Sequence, residues 1–192
     1  MRVQDRHLPW VVPSVVFLLT LSIYGLTLSP TITGFDSAEF VVGAYTLGIV
    51  HAPGYPLYML LAHVAAHAPL GAPAFNVNAL SALFAALSAL VLYFAVKRLS
   101  GSLWVAGLTG LMFAFLRPVW AFAVVAEVYT LAALLAALLA WACILYEEDP
   151  SAARLFWVAL VFSLNLTNHL AVVMVFPLLL VFLWMRGGKL IF

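Results

Sequence analysis

The sequence has 192 residues, of which 67% are hydrophobic and 8% are charged, and its mean hydropathy is +1.16. Soluble domains are usually about 45–50% apolar and about 25% charged, so this composition excludes a soluble fold. The net charge of +1 gives no indication of a nucleic-acid partner. The single cysteine, Cys143, excludes an internal disulfide. We therefore expect an all-α fold, a polytopic membrane helical bundle whose spans are roughly 20 residues each.

Apolar runs follow one another along the chain and predict six transmembrane helices. The first run is long and has no small-residue cleavage pattern, which indicates an uncleaved first span rather than a signal peptide. Polar residues from Asn165 to His169 separate the last two runs as a tight hairpin. Residues 1–192 are treated as a single transmembrane domain. Its predicted spans are residues 10–28, 76–96, 103–118, 128–146, 154–167 and 169–186.

The segment 29–75 is the longest polar interruption and is predicted to be a loop outside the membrane. It mixes Gly, Pro, Asp, Glu and His, a composition that argues against a continuous span. Within it, the apolar helix Pro56–Ala68 is too short for a clean crossing, and we expect it to lie at the membrane interface. His63 and His67 lie four residues apart on this helix, a spacing that could ligate a metal. Without a third ligand in the pattern, interfacial polarity is the favoured interpretation.

Basic residues fix the predicted orientation. If the N-terminus is cytoplasmic, seven of the eight basic residues fall on the cytoplasmic side, as the positive-inside rule requires. Both termini are then cytoplasmic. The exception on the outer side is Arg117, and the seven are Arg2, Arg6, Lys97, Arg98, Arg154, Arg186 and Lys189.

The same topology leaves Asp36, Glu39 and Glu127 on the outer side together with Arg117. An acidic pair such as Asp36 and Glu39 commonly caps or solvates a loop helix. However, charges close to the bilayer are costly and are often functional. We expect these four residues to converge around one outward-opening cavity.

The outer loop carries motifs that resemble a known superfamily. Asp36 and Glu39 form an Asp-x-x-Glu pair, and the turn His51–Pro56 and the helix Pro56–Ala68 follow it. Next comes a span that opens at Asn78 and ends in Lys97–Arg98. This order resembles the GT-C fold membrane glycosyltransferases, which include protein O-mannosyltransferases, aminoarabinose transferases and a related bacterial family of unassigned function. Two later features also resemble that superfamily: Glu127–Thr130, like its second acidic position, and Asn168–His169, like its polar hairpin.

The resemblance covers about residues 10–186 and implies the N-terminal part of a GT-C-like module. It implies transfer of a sugar from a polyprenyl-phosphate donor to an acceptor on the outer face, in a bacterial inner membrane. The implied base is Asp36 with Glu39 assisting, while Arg117 and His51 would bind the donor phosphate. Supporting site positions are Glu127, Tyr55 and His169. No cofactor is required, although a divalent metal bridging Asp36 and the phosphate is compatible with the pattern.

A second hypothesis stays open beside the enzyme. A truncated relative without activity could serve as a membrane subunit that packs within a larger membrane protein complex holding pigments or lipids. Membrane lipid is a partner in both hypotheses. The end of the sequence at Phe192 favours the subunit. Retention of the outer charges favours the enzyme, because an inactive relative has no need of charges that are costly near the bilayer.

Overall fold

The computed structural model describes residues 8–187, and this part of the chain is helical without strands. The prediction of an all-α membrane helical bundle is confirmed. The helices are α1 (Leu8–Thr27), α2 (Ser37–Thr46), α3 (Pro56–Ala66), α4 (Pro73–Ser100), α5 (Leu103–Ala114), α6 (Arg117–Ala123), α7 (Tyr129–Glu148), α8 (Ala152–Asn168) and α9 (Phe176–Gly187), with a 3-10 helix (Leu170–Val175) before α9.

Three helices of the described chain are long and apolar enough to cross a membrane: Trp10–Thr27 within α1, then α4 and α7. A fourth crossing results if α5 and α6, which are bent by 64° at their junction, count as one span. The predicted fifth and sixth spans correspond to the shorter apolar runs Ala152–Asn168 and Leu170–Arg186. The count of six spans stays a prediction.

The junction of α5 and α6 differs from the expected continuous span at residues 103–118. Helix α5 ends at Ala114, and α6 restarts at Arg117 with Pro118 in its first turn. Proline cannot donate a backbone hydrogen bond, yet it is well tolerated at a helix start. The break between the two helices therefore lies just before the Arg117–Pro118 step, which forms the start of α6.

Helix α4 is the centre of the bundle and packs against α1, α3, α5, α6 and α7. Its buried face carries small side chains, including Ala82, Ala85 and Ala89. Small residues let helix backbones approach closely where the membrane supplies no hydrophobic driving force. A Cβ atom on Gly110 of α5 would lie only 3.0 Å from the carbonyl oxygen of Ala89. The close packing of α5 on α4 thus depends on glycine at this position.

One end of the bundle is held by ion pairs to the acidic end of α7. Glu148 pairs with Arg98 at the end of α4, Glu147 with Arg186 of α9, and Asp149 with Arg154 of α8 at 3.3 Å. Carboxylates are unfavourable at a helix C-terminus, where the helix dipole is negative, so the arginines offset this cost. These residues lie at the same end of the bundle, as the predicted topology requires. Arg2, Asp5, Arg6 and Lys189 lie outside the described residues.

Candidate active site

The opposite end of the bundle carries the loop between α1 and α2, which is anchored to two helices. The Asn78 side chain, near the start of α4, donates hydrogen bonds to the carbonyl oxygens of Ser29 at 2.8 Å and Thr31 at 3.1 Å. The Ser29 amide donates to the carbonyl oxygen of Val124, just after α6, at 3.0 Å. The loop therefore leaves α1 in a fixed direction, across the ends of α4 and α6.

Asp36 lies at the end of this loop, immediately before α2. Its backbone carbonyl accepts the first helical hydrogen bond of α2, from Phe40 at 3.1 Å, but its carboxylate makes no capping bond. The side chain is exposed and accepts no hydrogen bond from any residue that the structure describes. A carboxylate in this position is free to meet a ligand.

The backbone of Asp36 is held by Glu127, which is 91 residues away in the sequence. The Asp36 amide donates to Glu127 Oε1 at 3.2 Å, and the Glu127 amide donates to Ser81 Oγ of α4 at 3.3 Å. Glu127 is only 1% exposed. The loop before α2, helix α4 and the segment just before α7 therefore meet at the buried Glu127.

Burial strongly changes the acidity of Glu127. Loss of solvation raises the pKa of its carboxyl from 4.5 to about 7, and the charge of Asp36 adds to this effect. The hydrogen bond from the Asp36 amide and the nearby His51 imidazole act in the opposite direction. Because desolvation disfavours the ionised form, Glu127 is half-protonated near neutral pH.

Glu39, in the first turn of α2, binds His51 through both of its carboxylate oxygens. Its Oε1 accepts from the His51 amide at 2.5 Å, and its Oε2 pairs with His51 Nδ1 at 2.7 Å. The other ring nitrogen of His51, Nε2, lies 2.9 Å from the hydroxyl of Tyr55. Hydrogen bonding to Glu39 raises the pKa of the His51 imidazole, and the same bonds lower the pKa of Glu39. The pair therefore extends the pH range over which His51 is cationic.

His169 lies in the hairpin between α8 and the 3-10 helix and approaches Tyr55 from there. Its Nδ1 accepts from the Ala171 amide at 3.2 Å, and its ring lies 5.8 Å from that of Tyr55 and 5.4 Å from that of Tyr129. The Asn168 side chain donates to the carbonyl oxygen of Val128 at 3.4 Å. The predicted polar hairpin is thus packed against the start of α7.

The structure brings together six of the seven residues that the sequence suggested for the site. Arg117 is the exception: it begins α6, is exposed, and forms no salt bridge or side-chain hydrogen bond within residues 8–187. Its assignment to the donor phosphate stays a prediction, as do the roles of the other six. Those six are Asp36, Glu39, His51, Tyr55, Glu127 and His169.

Sequence reasoning missed Ser81, which receives the amide of Glu127. A serine within an alanine-rich span is typical of close helix packing, so nothing in the local pattern distinguishes it. It also missed Phe35, a 65% exposed aromatic residue with a φ angle of 47° next to Asp36. Its neighbours Gly34 and Asp36 are typical of a loop, and nothing in that pattern distinguishes an exposed ring from a buried one.

Within residues 8–187, no group of three or more His, Cys, Asp or Glu side chains is placed to hold a metal ion. The imidazole rings of His63 and His67 lie 4.4 Å apart. Each Nδ1 contacts a backbone carbonyl oxygen, that of Ala44 at 2.7 Å for His63 and that of His63 at 2.9 Å for His67. These bonds attach α3 to α2 and close the end of α3, which is a structural role.

Comparison with known proteins identifies relatives of this chain. Residues 36–191 match the family model described as Protein O-mannosyl-transferase TMEM260 N-terminal domain. The chain is 38% identical over 138 residues to the mouse "Protein O-mannosyl-transferase TMEM260", covering 71% of this chain and 20% of the relative. It is 25% identical over 180 residues to the Dictyostelium discoideum "Protein O-mannosyl-transferase tmem260", covering 85% of this chain and 22% of the relative. No solved structure matches significantly.

The chain therefore spans about a fifth of the length of these relatives. Both relatives come from eukaryotes, so they give no support to the expected bacterial inner membrane. The resemblance to the O-mannosyltransferases that the loop motifs indicated is confirmed for this N-terminal part.

Proposed function

The chain belongs to the protein O-mannosyl-transferase TMEM260 N-terminal domain family, and we propose that it carries the acidic centre of a membrane glycosyltransferase. The proposed reaction transfers a sugar from a polyprenyl-phosphate donor to a hydroxyl group of an acceptor at the outer membrane face. The names of the relatives favour mannose as the sugar and a protein as the acceptor.

The observation that supports the proposal most directly is the exposed carboxylate of Asp36. The backbone amide of Asp36 is held by the buried Glu127 through a 3.2 Å hydrogen bond. In the proposed step, the acceptor oxygen attacks the anomeric carbon of the sugar, and the bond from that carbon to the phosphate oxygen breaks. The phosphate leaves with the bonding electrons, and the hydroxyl proton moves to the Asp36 carboxylate. A positioned general base of this kind typically contributes about 10²–10⁴-fold to the rate.

Glu39 has a different part in the proposal from the one suggested by its place in the motif. Both of its oxygens are bound to His51, at 2.5 Å and 2.7 Å, so Glu39 is poorly placed to accept the proton of the acceptor hydroxyl. We assign Glu39 to positioning and charging His51. The His51 cation would then stabilise the negative charge that develops on the leaving phosphate.

Arg117 is retained as a candidate second contact for the donor phosphate. It is exposed at the start of α6, and the opposite end of α6 contacts the loop at Ser29. An arginine can make paired hydrogen bonds to phosphate oxygens, which a single imidazole cannot. The polyprenyl tail would remain in the bilayer beside the bundle while its head group reaches the loop.

The proposal places the site on the non-cytoplasmic face, with both termini cytoplasmic. Support comes from the separation of charges in the structure: the ion pairs of Arg98, Arg154 and Arg186 lie at the end of α7 opposite Glu127. No step of the proposed reaction runs through a metal or cofactor.

The test is transfer from a polyprenyl-phosphate mannose to an acceptor protein by the purified full-length gene product in detergent or nanodiscs. Asp36→Asn should lower the rate by about 10²-fold or more with an unchanged melting temperature, because the exposed carboxylate contributes little to folding. The matched control is Glu147→Gln, which removes an exposed carboxylate at the opposite end of α7 and should retain full activity. Unchanged transfer by Asp36→Asn contradicts the assignment of the base. No transfer by the native protein from any polyprenyl-phosphate sugar, together with copurification in a larger complex, favours the subunit hypothesis.

A further inference from the structure

A continuous arc of aromatic rings surrounds the acidic centre. The ring centroids are 5.1 Å apart for Phe35 and Phe122, 4.7 Å for Phe122 and Tyr129, 5.4 Å for Tyr129 and His169, and 5.8 Å for His169 and Tyr55. We infer that this aromatic arc binds the ring of the sugar that is transferred, with Tyr129 and Phe35 as its stacking surface. The inference rests on the proposed function.

The position of the arc fits this role. At one end, Phe35 directly precedes Asp36, the proposed base. At the other end, the Tyr55 hydroxyl lies 2.9 Å from Nε2 of His51, the proposed phosphate contact. A sugar in transit must lie between the leaving phosphate and the acceptor hydroxyl. The arc joins these two points, and each of its five rings comes from a different element: the loop before α2, the residue before α3, α6, α7 and the hairpin after α8.

The exposure of the arc shows which rings are available to a ligand. Phe35 is 65% exposed and Tyr129 is 44% exposed, whereas Phe122 is half-buried between them and supports both. Tyr55, by contrast, is only 7% exposed. The rings most accessible to a ligand are therefore those of Phe35 and Tyr129.

The chemistry of the arc favours a sugar over a lipid chain or an apolar helix. Its ring faces alternate with hydrogen-bonding groups: the Tyr129 and Tyr55 hydroxyls, the His169 imidazole and the Asp36 carboxylate. A pyranose has the same mixed character, because the C–H groups of one face can pack against the electron-rich face of an aromatic ring while its hydroxyl rim needs polar partners. The Tyr55 hydroxyl and His169 Nδ1 already have partners, in His51 and the Ala171 amide. A lipid chain or an apolar helix would leave the Tyr129 hydroxyl and the Asp36 carboxylate unpaired, which is unfavourable.

The backbone at Phe35 supports a functional role for its ring. Phe35 has a φ angle of 47°, directly after Gly34 at 62°. The left-handed region is unfavourable for a side chain with a Cβ atom, and glycine is the residue usually found there. An aromatic residue that is both strained and largely exposed gains little from folding, and such residues are concentrated at ligand sites.

The test measures ligand binding without turnover, in the full-length gene product carrying Asp36→Asn. Two lipids of equal chain length are compared, a polyprenyl-phosphate mannose and the same polyprenyl phosphate without sugar. Tyr129→Leu should weaken binding of the mannosyl lipid by roughly three- to tenfold and leave the sugar-free lipid unchanged. Tyr129→Phe, which keeps the ring and removes the hydroxyl, should retain most of the affinity for the mannosyl lipid.

Phe35→Gly separates a binding role from a structural one. Because glycine adopts the left-handed conformation without strain, this variant should bind the mannosyl lipid more weakly while its melting temperature is unchanged or higher. Equal affinity of Tyr129→Leu and its parent for the mannosyl lipid, or equal losses for both lipids, would overturn the inference and leave the proposed function standing. A parent protein that binds neither lipid contradicts both. Continued transfer by Asp36→Asn contradicts the proposed base alone.

Discussion

The buried carboxyl of Glu127 gives a prediction about stability that can be tested without any substrate. Burial raises its pKa from 4.5 to about 7 in the folded protein. The folded state therefore binds the proton more tightly than the unfolded state. The contribution of Glu127 to stability is greatest below pH 4.5, declines between pH 4.5 and about 7, and is constant above that range.

The size of this effect follows from the shift in pKa. Each pKa unit corresponds to roughly 1.4 kcal/mol, so Glu127 costs about 3 kcal/mol of folding free energy once it is fully ionised. Glu127→Gln removes the titrating group and keeps an oxygen that can accept the Asp36 amide. We expect this variant to become progressively more stable than the native protein as the pH rises from 4.5 to 7, reaching an advantage of about 3 kcal/mol.

The assay is thermal unfolding of native and variant proteins in the same detergent from pH 4 to pH 8, and the quantity of interest is their difference. Glu147→Gln is the control, since its side chain is 44% exposed and solvent screens its charge. Its difference from the native protein should not rise across this range. A pH-independent difference between Glu127→Gln and the native protein would refute the argument from burial.

Two further predictions concern packing and orientation. Tyr24→Phe removes a buried hydrogen bond of 2.6 Å to the carbonyl oxygen of Ala114 and should lower the free energy of unfolding by about 1–2 kcal/mol. Tyr93→Phe removes a buried hydroxyl that has no partner in the described chain, and it should change the free energy of unfolding by less than about 0.5 kcal/mol. Thermal unfolding compares the two, and equal losses would contradict the assigned bond. In a Cys143→Ser background, a cysteine at Thr33 should react with an impermeant maleimide only from the non-cytoplasmic side and one at Ser151 only from the cytoplasmic side. Reversed labelling would invert the predicted topology.

Much of the helical framework could be predicted from hydropathy alone. Long apolar runs bounded by polar or basic residues gave the positions of α1, α4 and α7 to within a few residues, because a membrane span must satisfy its backbone internally. The division at Arg117 was harder to predict, since proline is tolerated within membrane helices when neighbouring groups satisfy the freed carbonyl oxygens. Nothing in residues 103–118 decides locally between a continuous helix and a 64° bend.

The candidate site was predictable in its composition and much less in its connections. The acidic motif and the histidine turn suggested Asp36, Glu39 and His51, but their spacing could not show that Glu39 binds the His51 amide and ring together. That pairing depends on the path of residues 47–55, where Leu47 and Tyr55 have φ angles of 52° and 45°. Sequence rules assign the left-handed conformation to glycine or asparagine, so they do not predict it for a leucine and a tyrosine.

The position of Asp36 depends on the membrane helices as much as on its own loop. Its amide is bound by Glu127 at the start of α7, and Glu127 is in turn bound by Ser81 of α4. Loops are usually mobile, and a base that moves by 1 Å loses much of its effect on the rate. Helices α4 and α7 restrict this motion, because they pack against each other and are more rigid than the loop. The cost is a carboxyl group buried at 1% exposure, and a cost of this kind is tolerated in proteins chiefly where function requires the geometry. The arrangement explains why a residue so far along the chain as Glu127 belongs to the same site as Asp36.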